Sequence, residues 1–276
     1  PDGSDFNGSP IAYTLGGTNP NLDAQTADTT TVGFDWIPGS DSPFSLSVTY
    51  SLIEYDNYIG MAPDPFDGEP FTQLHENLDK AGDVIMYDDT GILIYDQRER
   101  NFAQRTSETL DFFASYQFET DNAGVWSFDL NAVNTLELSS TFIPGLEAVN
   151  IEGTDVGPSE WVSNFSTNWV MGDFSTTAVL HYQSAFDTLS PLTEWTDSQN
   201  GVHPINNPDD DTDAMVTVDA NIVWNVPNTG LKVQLGASNL LDEKPDFTNN
   251  RSGFAANRYN TRGRVIFLDM SYTFGN

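Results

Sequence analysis

The stretch that most constrains the fold lies near the end of the chain. From Arg264 it reads Val265, Ile266, Phe267, Leu268, Asp269, Met270, Ser271, Tyr272, Thr273, Phe274. Ile266, Leu268, Met270, Tyr272 and Phe274 share one parity, while Asp269, Ser271 and Thr273 share the other. Successive side chains of a β-strand point to opposite faces, so this period of two writes a strand with one apolar and one mostly wet face.

The pattern recurs upstream. Leu231, Val233, Leu235 and Ala237 oppose Lys232, Gln234, Gly236 and Ser238, and Val216 to Val226 alternates against Thr217, Asp219, Asn221 and Asn225. Similar stretches run through Phe174 to Gln183, Trp161 to Trp169, Trp126 to Ala132, Leu110 to Phe118, Phe44 to Leu52 and Thr31 to Trp36. The total is about nine strands, most of them near the 9–11 residues that a tilted strand needs to cross a bilayer. Strands of soluble sandwiches are nearer five or six residues. Asp, Asn and Gln on the second face suit a water-filled lumen better than a packed core.

The connections alternate in length. Short turns fall at Pro38-Gly39-Ser40, Asp121 to Gly124, Gly172-Asp173 and Pro227 to Gly230. Long ones run from Ile59 to Arg105, Ser139 to Glu160, Asp187 to Asp213 and Asp242 to Thr261. Short turns at one end and long loops at the other is the layout of an outer-membrane barrel, and puts Phe274 at the periplasmic end. Trp36, Phe44, Phe118, Trp126, Trp169, Phe174, Trp224 and Phe274 lie beside the short turns, where aromatic rings either meet a membrane–water boundary or pack the hairpin ends.

Composition narrows the partners. The formal charge is -31, from 41 acidic and 10 basic side chains, which repels nucleic-acid phosphate and excludes that class of partner. There is no cysteine, so disulfides and thiolate metal sites are out. The mean hydropathy of -0.38 does not argue against a barrel, because only alternate strand residues meet lipid. No apolar run is long enough for a transmembrane helix. The chain opens on Pro1 without a signal-like segment, which is expected of a mature product or a fragment.

Three motifs carry a family resemblance. Gly17-Thr18-Asn19-Pro20-Asn21-Leu22, ahead of Thr29 to Pro38, resembles the "G-x-N-P-x-L-x-P-E" pattern of TonB-dependent receptors, with Ala24 and Gln25 in place of the usual Pro and Glu. Ala237 to Pro245 resembles that family's penultimate strand ending in "N-L-F-D-x-x-P". Tyr259 to Arg264, leading to Phe274, resembles its closing strand, except that Gly275 and Asn276 follow the aromatic residue.

The resemblance implies an all-β, antiparallel up-and-down transmembrane barrel of 22 strands filled by a plug. Residues 1–276 would then be the C-terminal portion, about the last nine strands, with the plug, the TonB-binding segment and the earlier strands outside this sequence or supplied by another chain of an outer-membrane complex. It implies residence in the outer membrane of a Gram-negative bacterium, contact with lipid and with the TonB complex, and a small-molecule or glycan ligand. The classes implied are iron-siderophore complexes, cobalamin and oligosaccharides. A non-transporting surface barrel, adhesive or structural, is the other expectation.

Catalytic patterns are missing, so the expectation is no enzyme. His75, His181 and His203 lie in no metal-protease spacing. The run Asp209, Asp210, Asp211 and Asp213 offers the hard oxygens that Ca²⁺ prefers, without the full pattern of a calcium-binding loop, and Asp88-Asp89 is a weaker pair. No other cofactor is expected. His181 is placed toward the lumen, and Ile266, Leu268, Met270, Tyr272 and Phe274 form the membrane face of the closing strand. Phe66, Phe71, Trp195, Phe247 and Phe254 either stack on a ligand or pack the loops together.

Overall fold

The structure, a computed structural model, describes residues 12–17, 19–62, 85–87, 93–155, 157–188, 194–196, 202–204, 212–248, 253–256 and 258–274. Among them there are strands and connections but no helix. The main sheet has ten strands: Val149–Asn150, paired with Gly124–Thr141 off the main path, and nine that follow one path, β1 (Thr26–Trp36), β2 (Phe44–Asp56), β3 (Gln104–Thr120), β4 (Gly124–Thr141), β5 (Trp161–Met171), β6 (Phe174–Gln183), β7 (Met215–Asn225), β8 (Leu231–Ser238) and β9 (Val265–Tyr272). Their order in the sheet is their order in the chain, and every pairing from β4 to β9 is antiparallel.

The register turns alternation into two continuous faces. Leu130, Phe165, Leu180 and Val218 are successive cross-strand partners from β4 to β7. One residue along each strand, Asn131, Asn164, His181 and Thr217 form the matching row on the opposite face. A one-residue slip would exchange the two faces, so the pattern fixes the pairing. In a soluble one-sided sheet the apolar face would be covered. Here Leu235 is 50% exposed, Leu268 61% and Ile266 67%. An uncovered apolar face of this extent needs an apolar environment of its own.

The chain forms two compact units: residues 1–30, 52–107 and 137–151, and residues 31–51, 108–136 and 152–276. In the first, Ala12–Leu15 pairs in parallel with Leu93–Asp96, which also pairs with Ile85–Tyr87. Tyr95, Phe102, Ala62 and Ile143 make its core, with Phe142 edge-on to Phe102 at 5.3 Å. In the second, Phe186, Ala255 and Tyr259 form a small core with Met215. The tight turns use the expected chemistry. Gly124 has φ +72°, and a Cβ there would collide with the Val170 carbonyl; Gly230 has φ +70° and lies against Thr273.

Several expectations need correction. The strands beginning at Leu110 and Trp126 are longer than alternation indicates, at 17 and 18 residues, and β1 reaches back to Thr26. The long connections also hold short strand pairs that alternation does not mark: Ile59–Gly60 with Arg100–Asn101, and Glu194–Thr196 with Val202–Pro204. The closing strand ends at Tyr272 rather than Phe274, although the Thr273 amide adds one bond to the Gly230 carbonyl. Phe274 lies beyond it, 87% exposed and edge-on to Tyr272 at 4.7 Å.

Candidate functional site

The chemistry concentrates on the polar face of the second unit. His181 Nδ1 lies 2.5 Å from Asn164 Oδ1, and its Nε2 lies 3.7 Å from Asp219 Oδ2. The other Asp219 oxygen accepts the Asn239 amide at 2.8 Å. Nearby, Ser115 donates to Asp129 at 2.7 Å and Thr177 to Asn168 at 2.9 Å. His181 is thus on the polar face, as alternation predicts, held between an amide and a carboxylate.

The residues after β8 form a cradle. Asn239 and Asp242 take positive φ, 48° and 61°, a conformation that Asn and Asp tolerate better than most residues. Asn239 bonds Glu243 twice, accepting from its amide at 2.9 Å and donating to its carbonyl at 2.8 Å. Asp242 Oδ1 accepts the Arg264 amide at 2.8 Å, and Arg264 donates to the Leu240 carbonyl at 3.2 Å. A Cβ on Gly263 would meet Asp242 Oδ1, so glycine permits the approach. The Asn-Leu-Leu-Asp and Gly-Arg motifs are therefore two halves of one clasp at the start of β9.

Segment 258–263 faces the wall across a cavity of about 420 Å³, with His181, Thr217 and Asp219 on one side and Tyr259, Asn260 and Arg262 on the other. Arg258 fixes this segment. It donates to Ser159 Oγ and the Gly157 carbonyl, both at 2.5 Å, and to the Thr154 carbonyl. Its guanidinium also lies 4.5 Å over the Phe186 ring, a cation–π contact. Burial lowers the Arg258 pKa and raises that of the Tyr259 phenol. Nothing in the sequence near Arg258 signals these contacts, because its partners lie about a hundred positions away.

The first unit holds a second cavity, of about 560 Å³, lined by Asn19, Pro20, Asn21, Asp96, Arg98 and Arg100. Asp96 lies between Arg98 at 2.7 Å and Arg100 at 3.1 Å. The hydrogen bond from Arg98 holds its carboxyl below the ordinary range. The Asn-Pro motif beside it is a local turn, with Asn19 Oδ1 accepting the Asn21 amide at 3.0 Å. Gln25 accepts the Ile59 amide at 3.0 Å.

Of the other predicted positions, Asp213, Phe247 and Phe254 line neither cavity. Asp209, Asp210 and Asp211 lie outside the described residues, as do His75, Phe66, Phe71 and Asp88-Asp89. Asp213 donates its amide to Asp246 at 2.8 Å. Among the described residues no three His, Asp or Glu side chains are grouped to hold a metal ion. Trp195 and His203 belong to a short hairpin, and Phe247 is 76% exposed.

A sheet with one uncovered apolar face, one polar face, short turns at one end and folded loops at the other is a section of a membrane β-barrel wall. The chain belongs to the TonB-dependent receptor-like β-barrel family, whose pattern matches residues 1–240. This is an outer-membrane family. Solved structures share the fold. One is a variant of the ferric enterobactin receptor PfeA of Pseudomonas aeruginosa, with a TM-score of 0.54 at 15% identity over 92% of this chain and 32% of that one. The ferric-catecholate import receptor Fiu of E. coli gives 0.52 at 16%, over 94% and 30%. The copper transporter OprC gives 0.54 at 13%, over 94% and 34%. This chain therefore spans about a third of their length. No curated protein matches the sequence.

Proposed function

We propose that the chain is the C-terminal wall of an outer-membrane receptor that imports a scarce ligand with energy delivered through TonB. The observation that carries this is the sheet itself: the face bearing Leu235, Leu268 and Ile266 is uncovered, while the opposite face bears Asn164, His181 and Asp219. The first face suits lipid and the second a hydrated path. Closing such a sheet on itself satisfies every backbone group, which is the condition for crossing hydrocarbon. The wall's part is to seal and to line, without covalent chemistry. The full-length protein would supply the plug and the TonB contact.

Solved neighbours carry siderophore-iron and copper in their names, which supports an uptake role and leaves iron-siderophore complexes, cobalamin and oligosaccharides as the ligand classes. Uptake of labelled ligands from these classes by cells expressing the full-length protein, with and without TonB, tests the reading. Accumulation that requires TonB is expected. Surface attachment or adhesion without any TonB-dependent accumulation would make the protein a non-transporting barrel.

A further inference from the structure

We propose that the bases of three long connections open and close as one body, and that Arg258 is the positioning residue that couples them. The connections are those from β4 to β5, from β6 to β7 and from β8 to β9. Each pair of them is in direct contact. Between the first two, the Asp155 amide donates to the Asp187 carbonyl and the Asp187 amide to the Gly153 carbonyl, both at 2.9 Å. Between the second and third, the Phe186 and Tyr259 rings lie 6.1 Å apart, and Asp246 accepts the Asp213 amide at 2.8 Å. Between the third and first, Arg258 donates to Ser159 Oγ and to the carbonyls of Thr154 and Gly157.

Arg258 closes the triangle because it serves both other connections at once. Its terminal nitrogens enter the first, while the face of its guanidinium lies 4.5 Å over Phe186 of the second. A planar fork can meet acceptors at its edge and a ring on its face together, which an ammonium cannot do. Both receiving connections are held in shape. The Gly153 amide donates to the Pro158 carbonyl at 2.9 Å and the Gly157 amide to the Thr154 carbonyl at 3.2 Å, closing the turn whose oxygens meet Arg258. Phe186 is 2% exposed, and the Thr212 hydroxyl accepts its amide and donates to its carbonyl, both at 3.1 Å.

Burial makes the tie cooperative. A guanidinium taken out of water is costly unless its donors are met, so withdrawing one connection leaves the charge uncompensated for the others. Opening any one base therefore favours opening all three, which is the behaviour of a single local unfolding unit. The consequence falls on the cavity between Thr217 and segment 258–263. Access through that segment is set by Ser159 and Phe186, which do not line the cavity. The tie holds whatever ligand the wall serves, so its failure would leave the uptake reading untouched.

Amide hydrogen exchange of the full-length receptor in lipid vesicles tests it at Asp155, Asp187 and Tyr259, one amide on each connection. Arg258→Met should quicken all three together by about tenfold or more, and leave the β5–β6 ladder unchanged. Ser159→Ala, which removes one bond on the first connection, should quicken Tyr259 on the third by about threefold to tenfold. Phe186→Leu should quicken Asp155 and Tyr259 in the same way. These two milder variants carry the test if Arg258→Met does not assemble. A second readout is maleimide labelling of Thr217→Cys, which should speed up when Ser159→Ala is added. The proposal is overturned if Arg258→Met quickens Tyr259 alone, if Ser159→Ala and Phe186→Leu act only on their own connections, or if labelling of Thr217→Cys ignores Ser159→Ala.

Discussion

Phe267 and Gly236 are partners across the β8–β9 ladder, and the Phe267 ring fills the space that a Cβ on Gly236 would need. A glycine inside a strand has no side chain to pack, and the ring restores that contact on the polar face. Gly236→Val should expel the ring and cost about 1–3 kcal/mol of wall stability. Pairing it with Phe267→Ala should recover part of the loss, so the two changes will not be additive. Urea unfolding of the full-length protein in lipid vesicles measures this. Simple additivity would mean that ring and glycine do not depend on each other.

Trp126 and Trp169 donate to a single acceptor, the Ala123 carbonyl, at 3.1 and 2.7 Å. Either Trp→Phe change should cost about 0.5–1.5 kcal/mol, the usual net worth of a hydrogen bond. Because each indole weakens the acceptor for the other, the double variant should cost more than the sum. A double-mutant cycle by thermal unfolding decides it.

Leu268 and Asp269 are chain neighbours on opposite faces. Arg at position 268 should oppose assembly by about 2–4 kcal/mol if that face meets the middle of a bilayer, whereas Asp269→Arg should cost little. The gel shift of folded barrel, followed as the protein inserts into vesicles, reports the difference. Equal effects would reject the assignment of the faces.

Asp96 carries the pH prediction. Arg98 and Arg100 lower its pKa from the ordinary 3.8, so the ionised carboxylate stabilises segment 93–101. That stabilisation is complete above the unfolded value and is lost as pH falls through the lower, folded value. Protection factors for amide exchange in this segment should be level from neutral pH to about 5 and then fall below about 4. Asp96→Asn should lower them at neutral pH and flatten the acid limb.

The faces of the sheet were legible from the sequence because a bilayer demands strict alternation between lipid and lumen. Where a strand carries polar residues on both faces, the signal stops. That is why Thr26 to Thr30 and Gln104 to Glu108 extend β1 and β3 with no apolar period to mark them. Tight turns were legible through residues that accept positive φ, such as Gly124 and Asn228. Asn239 and Asp242 announced a motif, but its purpose, holding Arg264 at the start of β9, needed coordinates. The cavity was hidden for the same reason as the Arg258 clasp: its two sides come from residues 181–219 and 258–263, which no local pattern connects.

The agreement between chain order and sheet order bears on how the wall is built in time. Each strand finds its neighbour as the next one along, so pairing can advance as a zipper, one hairpin after another, without a distant strand having to search for its place. The turns at Gly124, Gly172 and Gly230 close quickly, while the wide gap between β2 and β3 adds only a slowly growing entropic delay. A machine that hands such a chain to a membrane therefore needs to hold only one growing rim at any moment.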